Sequence, residues 1–229
     1  MPTTPRSAYA HFCMLAKTLE RLGDRWALLV VRDLLTGPKR FTDLMDRLGG
    51  ITPRTLTQRL RDLESDGLVL VDREPGRREV WYSLTPAGQD LTPALEELTL
   101  WGLRHLATPP APGEATHPEH LLTALRLVLD RENVDVGAVD WVVRTDDHGD
   151  SYTISGRAGR WAVQDDAVPN PDVELLGTRR DLADYLATPH PARTAGHPGV
   201  RLQGSELEIS RFLAAITAFP QLPRASVPI

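Results

Sequence analysis

The sequence predicts two differently built halves: a mostly helical domain with one two-stranded hairpin, then an α+β domain whose sheet is covered by helices. Three observations carry this. Up to Leu106 apolar residues recur mainly at helical spacing, interrupted by two short strand-like segments around Pro75-Gly76. From Trp141 onward they alternate at strand spacing between amphipathic stretches. Between the halves, Pro109, Pro110, Pro112 and Pro118 oppose both helix and strand. The expected division is 8–107, a Pro-rich linker at 108–117, and 118–222.

Each element has a local reason. Cys13 to Leu22 is a short helix, stopped by Gly23, and Asp24 caps the next. That second helix carries Trp26, Leu28, Leu29, Val30, Val31, Leu34 and Leu35 around most of its circumference, so it is buried; Gly37-Pro38 ends it. Phe41, Leu44, Met45 and Leu48 share one face of a third helix, ended by Gly49-Gly50. Thr52 is a good N-cap for a fourth, with Pro53 at the first helical position, where its missing N–H costs nothing. Leu56, Leu60 and Leu63 form its apolar stripe, and Gly67 stops it. Strands follow at Leu68 to Asp72 and Val80 to Leu84, their tip carrying Arg77 and Arg78. One long helix is expected from Pro86 to Leu106.

Composition narrows the function classes. No apolar run approaches the roughly 18 residues of a membrane span. The start, Met1 to Ala10, lacks a basic segment followed by an apolar one, so a cytoplasmic location is expected and no membrane partner. A single cysteine, Cys13, excludes an intramolecular disulfide and a thiolate-rich zinc site. No metal or cofactor is expected. The net charge of −5 argues against a polyanionic partner until it is divided. Through Thr108 there are 15 Lys and Arg against 14 Asp and Glu; the remainder has 11 against 17. Charge acts over only about 10 Å at 0.1 M salt, so local balance decides.

The fourth helix is the candidate reader of double-stranded DNA. A major groove about 12 Å wide admits one helix, whose side chains must suit phosphates and base edges. Arg54, Thr55, Gln58 and Arg59 supply those types on consecutive turns, and Arg61 shares their side. From Lys39 to Arg61 six basic residues face Asp43 and Asp46 alone. Lys39 and Arg40 are added as candidate contacts, with Arg77 and Arg78 reaching an adjacent minor groove or its phosphates. Alone, this helix also fits a solvated amphipathic surface. The tight turn before it, the basic hairpin tip and the order of elements favour a winged helix-turn-helix.

Further motifs occur in order: Leu22-Gly23-Asp24-Arg25-Trp26, Leu34-Leu35-Thr36-Gly37-Pro38-Lys39-Arg40-Phe41-Thr42-Asp43-Leu44, Ile51 to Leu60, Leu63 to Val69, and Tyr82 to Gly88. With Cys13, they make residues 11 to 106 resemble the HxlR-type winged-helix transcriptional regulators. The resemblance implies recognition by the Thr52 to Asp66 helix and a homodimer built from the first and last helices of the domain. Two recognition helices would then sit roughly 34 Å apart on a near-palindromic site. Leu98 and Trp101 are read as serving that seam, and Trp26 as core. The resemblance also implies oxidant or electrophile sensing at Cys13, although Met14 stands where the family has proline. The alternative reading of Cys13 is a small buried hydrophobe.

In the second half, His117 to Asp130 is a helix, Asp146 to Asp150 a hairpin turn, and Gly156 and Gly159 mark a bend or bulge. Strands at Pro171 to Leu176 and Gly199 to Gln203 alternate with helices at Thr178 to Leu186 and Ser205 to Phe219. This order resembles the sterol-carrier-protein type-2-like fold, which implies an apolar cavity and a hydrophobic small-molecule effector. Trp141, Tyr152, Trp161, Phe212 and Ile216 are the candidate walls; plain core packing is the alternative. No H-E-x-x-H, G-x-S-x-G or strand-linked G-x-G-x-x-G occurs, so no enzyme is expected. Two other readings remain: a C-terminal domain that only aids oligomerisation, and a lipid carrier or enzyme dimerised through the winged helix.

Overall fold

The computed structural model describes residues 9, 11–73, 79–106, 108, 110–187 and 196–217. The chain divides into two compact units, one through Leu95 and one from Glu96. The division falls inside a helix rather than in the Pro-rich segment, whose described residues 108 and 110–117 carry no helix or strand.

The first unit begins with α1 (Met14–Leu22) and α2 (Ala27–Leu35). Asp24 opens α2 by accepting the Trp26 N–H at 2.9 Å. Next come β1 (Lys39–Arg40), α3 (Phe41–Leu48), α4 (Pro53–Ser65), β2 (Val69–Asp72) and β3 (Trp81–Leu84). Val30, Val31, Leu34, Leu44, Leu56, Leu60 and Leu63 are essentially solvent-free, so three helices share one core. Truncating one such leucine to alanine costs about 2–5 kcal/mol.

Two findings depart from expectation. β1 was not foreseen; it pairs with β3 (Lys39↔Tyr82, Arg40↔Trp81), making the sheet three-stranded in the order β1-β3-β2. The long helix from Pro86 is instead α5 (Pro86–Gln89) and α6 (Thr92–His105). Pro93 explains the break, because it has no N–H for the Gln89 carbonyl. The Thr92 hydroxyl donates to that carbonyl instead, at 2.6 Å. Leu95 of α6 packs on the first core, and Leu100 belongs to the core of the second unit.

The second unit contains α7 (Pro118–Arg131), β4 (Val139–Thr145), β5 (Ser151–Arg157), β6 (Arg160–Gln164), β7 (Val173–Gly177), α8 (Arg179–Ala187), β8 (Val200–Gly204) and α9 (Glu206–Ile216). The sheet order is β6-β5-β4-β7-β8, antiparallel except between β4 and β7. Alternate residues Val139, Trp141 and Val143 share one core with Leu122, Leu125 and Leu129 of α7, Leu182 and Tyr185 of α8, and Phe212 of α9. The other face carries Asp140, paired with Arg157 at 2.8 Å, and Arg144, paired with Glu174. Gly156 forms no bulge: it pairs regularly with Trp161 and leaves room for that ring. Gly159, at φ +71°, makes the β5–β6 turn. Arg180 of α8 donates to the carbonyls of Pro110 and Ala111, tying the Pro-rich segment to this unit.

Candidate nucleic-acid interface

The α3–α4 turn is short because Gly49 and Gly50 take positive φ (44° and 77°), a region costly for other residues. Thr52 then caps α4: its hydroxyl accepts the Thr55 N–H at 3.2 Å and lies 2.8 Å from the Thr55 hydroxyl. With Leu56, Leu60 and Leu63 turned inward, helical periodicity sends Arg54, Gln58 and Arg61 outward, and all three are exposed.

The candidate contacts differ in how they are held. Arg54 and Arg61 make no ion pair among the described residues. Thr55 is half-buried and engaged in the cap. Gln58 Nε2 donates to Asp62 Oδ1 at 2.9 Å. Arg59 is mostly covered, pairing with Asp62 at 3.2 Å and Asp24 at 3.6 Å. Arg40 lies over the Trp81 ring, 5.6 Å from its centroid, and pairs with Asp43 and Glu79. Its hydrogen bonds to Asp43, then those to Glu79, raise the guanidinium above its ordinary value. Burial pushes the Asp43 carboxyl up, but the Arg40 backbone and side-chain bonds outweigh it and hold the group below its usual range.

Lys39 is held differently from Arg40. It is 9% exposed, and its ammonium lies 3.3 Å from the carbonyls of Thr36 and Gly37, at the end of α2. A lysine in β1 with its ammonium turned onto those carbonyls serves the fold. Arg77 and Arg78 lie outside the described residues. On β2's end, Arg73 is exposed and 3.7 Å from Glu64. The sequence reading missed Asp62 as the partner of both Gln58 and Arg59, although the i, i+4 and i, i+3 spacings could have shown it.

In the second unit the five wall candidates are all buried in one core. Trp141 stands 4.8 Å from Trp161 and 5.0 Å edge-on from Phe212, between ring centroids. Trp161 Nε1 donates to the Val134 carbonyl at 2.9 Å, and the Tyr152 hydroxyl to Glu119 at 3.0 Å. Glu119, only 3% exposed, carries no signal of this in the sequence. The Trp141 indole N–H is solvent-free and has no acceptor among the described residues. Phe212 and Ile216 sit on α9 facing the sheet.

Cys13 is exposed, not buried as a small hydrophobe would be, because it precedes the first turn of α1. Among the described residues no group of three His, Cys, Asp or Glu is placed to hold a metal ion. None of their helices is long and apolar enough to cross a membrane.

Comparison with known proteins places these features. Residues 21–109 match the family described as HxlR-like helix-turn-helix. The chain is 38% identical over 114 residues to the uncharacterised HTH-type transcriptional regulator YkvN of Bacillus subtilis (strain 168), covering 48% of this chain and 95% of that one. It is 38% identical over 86 residues to the HTH-type transcriptional regulator sll1512 of Synechocystis, covering 37% of this chain but 64% of that relative, just under two thirds of its length. Among solved structures, the reduced form of the transcriptional regulator YodB from B. subtilis matches at 30% identity and a TM-score of 0.36, over 40% of this chain and 92% of that one. The relatives bear the names of regulators, not of enzymes.

Proposed function

The chain belongs to the HxlR-like helix-turn-helix family of transcriptional regulators, and on that premise we propose that it is a homodimer reading a near-palindromic operator with α4 in the major groove of each half-site. The outward face of α4 carries this reading. Arg54 and Arg61 stand exposed on either side of Gln58 with no ion pair among the described residues. A helix that buries its leucines and leaves two unneutralised guanidinium groups outward is suited to phosphates and guanine edges. Arg59 joins by turning from Asp24 toward a phosphate while its other nitrogen stays on Asp62, and Arg40, Arg77 and Arg78 are the flanking contacts.

Mobility shifts on promoter DNA with the wild-type, Arg54→Ala and Arg59→Ala proteins test this. Weaker binding is expected from both variants, along with a strong salt dependence. Binding indifferent to both changes and to salt would overturn the DNA reading.

Two sets of apolar residues support the dimer. α1 and the two residues before it leave Phe12, Met14, Leu15 and Leu19 exposed, and α6 leaves Leu98 and Trp101 exposed. Sedimentation at rising concentration checks it; a monomer throughout would remove the two-half-site geometry. Cys13, exposed beside α1, is the thiol through which an oxidant would act. A diamide response of DNA binding that persists in Cys13→Ser would end that reading.

For the second unit the proposal is a sterol-carrier-like sensor of an apolar small molecule, supported by the Trp141 N–H. A buried donor without an acceptor costs about 1–3 kcal/mol, and a hydrophobic ligand bearing an acceptor oxygen would satisfy it. The close ring packing around Trp141 favours a second reading, in which this unit only aids oligomerisation. Titrating fatty acids and sterols against tryptophan fluorescence separates the two. If binding occurs, operator DNA should shift ligand affinity by the same factor as ligand shifts DNA affinity.

A further inference from the structure

Gln58 is the one amide side chain of α4; it is exposed on the outward face and can meet a base edge with an acceptor and a donor side by side. Its amide is not free to turn. A carboxylate has no hydrogen to give, so Asp62 Oδ1, at 2.9 Å, can face only the NH2 end of the amide. Asp62 is itself held from the other side, its Oδ2 lying 3.2 Å from Arg59, which also reaches Asp24. The chain Asp24–Arg59–Asp62–Gln58 therefore runs across the helix and ends on the amide.

We propose that Asp62 is a positioning residue that sets the base preference of Gln58; the inference rests on the reading of α4 as the recognition helix. One amide hydrogen is used by Asp62. The remaining hydrogen and Oε1 form an adjacent donor and acceptor whose order is fixed. Adenine offers the complement in the major groove, an N6–H donor beside the N7 acceptor. Guanine offers two acceptors, N7 and O6, which an amide meets best by swinging its NH2 group fully toward the base. Asp62 opposes that swing. The tethered Gln58 thus selects adenine against guanine at one position of each half-site, whereas an untethered glutamine accepts both.

Asp62 also places a negative charge near the phosphates, so its removal raises affinity for any DNA; this general effect is separable from the change in preference. The test is selection from randomised DNA by the full-length wild-type, Asp62→Asn, Asp62→Ala and Asp62→Glu proteins, with binding constants for paired adenine and guanine sites. The wild type and Asp62→Glu, which keeps an acceptor-only carboxylate, should favour adenine by roughly tenfold. Asp62→Asn and Asp62→Ala should bring the ratio close to one. In a Gln58→Ala background the Asp62 changes should leave the ratio unaltered, since the effect passes through the amide. Asn and Ala variants that bind all sequences more tightly with the adenine preference intact would overturn the proposal alone. A wild type that selects no sequence would overturn the DNA reading, and this inference with it.

Discussion

Gly156 and Trp161 stand opposite one another across β5 and β6, and a Cβ on residue 156 would come within 2.9 Å of two carbons of the indole ring. Val139 Cγ2 closes the same space at 3.1 Å. The ring is also pinned, because its Nε1 donates to the Val134 carbonyl.

Gly156→Ala should therefore lower the stability of the second unit by roughly 1–3 kcal/mol, the usual cost of overfilling a packed interior. Thermal denaturation followed by tryptophan near-ultraviolet circular dichroism measures this. An unchanged midpoint would mean that the indole shifts freely, contrary to its two-sided restraint.

Thr52→Ala should cost about 1 kcal/mol, because the Thr55 N–H at the start of α4 loses its acceptor. Thr52→Ser, which keeps the oxygen, should recover most of the loss. The check is urea denaturation of both variants; equal loss in the two would show that the methyl group, not the cap, matters.

The Arg61→Ala and Lys39→Ala proteins should fail differently. Arg61 is exposed and outside any ion pair among the described residues. Its loss should reduce the slope of log affinity against log salt by about one, with stability unchanged. Lys39 ties the end of α2. Its loss should lower the melting temperature while the salt slope stays within error of the wild type. A reversed pattern would place Lys39 at the interface and Arg61 in the fold.

Asp140 and Asp43 set an acid limit. Burial pushes the Asp140 carboxyl up, but the hydrogen bonds from Arg157 and Ser155 hold it below the ordinary value of 3.8. Asp43 is depressed likewise by Arg40. A carboxyl depressed by folding contributes stability that is fully present above its unfolded value and lost as pH falls through the folded one. Stability should therefore drop below pH 3.8, and less steeply in Asp140→Asn. Denaturant midpoints across that range decide it; parallel curves would remove Asp140 from the account.

Much of this was legible in the chain itself, and the reasons differ by residue. α3 and α4 follow from strong local signals: a 3.6-residue apolar period, Thr52-Pro53 at one end and Gly67 at the other. The strands of the second half follow from alternation. β1 was invisible because two residues show no period, and its pairing with Tyr82 and Trp81 is non-local. The break at Asp90 was legible in Pro93 but lost in a longer apolar pattern. Lys39 looked like its neighbour Arg40 in charge; only burial separates an ammonium turned onto carbonyls from a guanidinium at the surface. On α4 the outward residue types were readable, while their carboxylate tethers needed side-chain positions.

The parallel pairing of β4 with β7 bears on how the second unit is made. β4 is the middle strand, flanked by β5 and β7. Its antiparallel neighbour follows in sequence through a tight turn, so that hairpin can close early. Trp141 meets Val173 only after β5, β6 and the segment beyond have left the ribosome. Until then one edge of a valine-rich strand stands open to other nascent chains. Slow, non-local closure of this sheet, rather than the helical first half, is where synthesis of the protein is most exposed to misassembly, and chaperone demand should concentrate there.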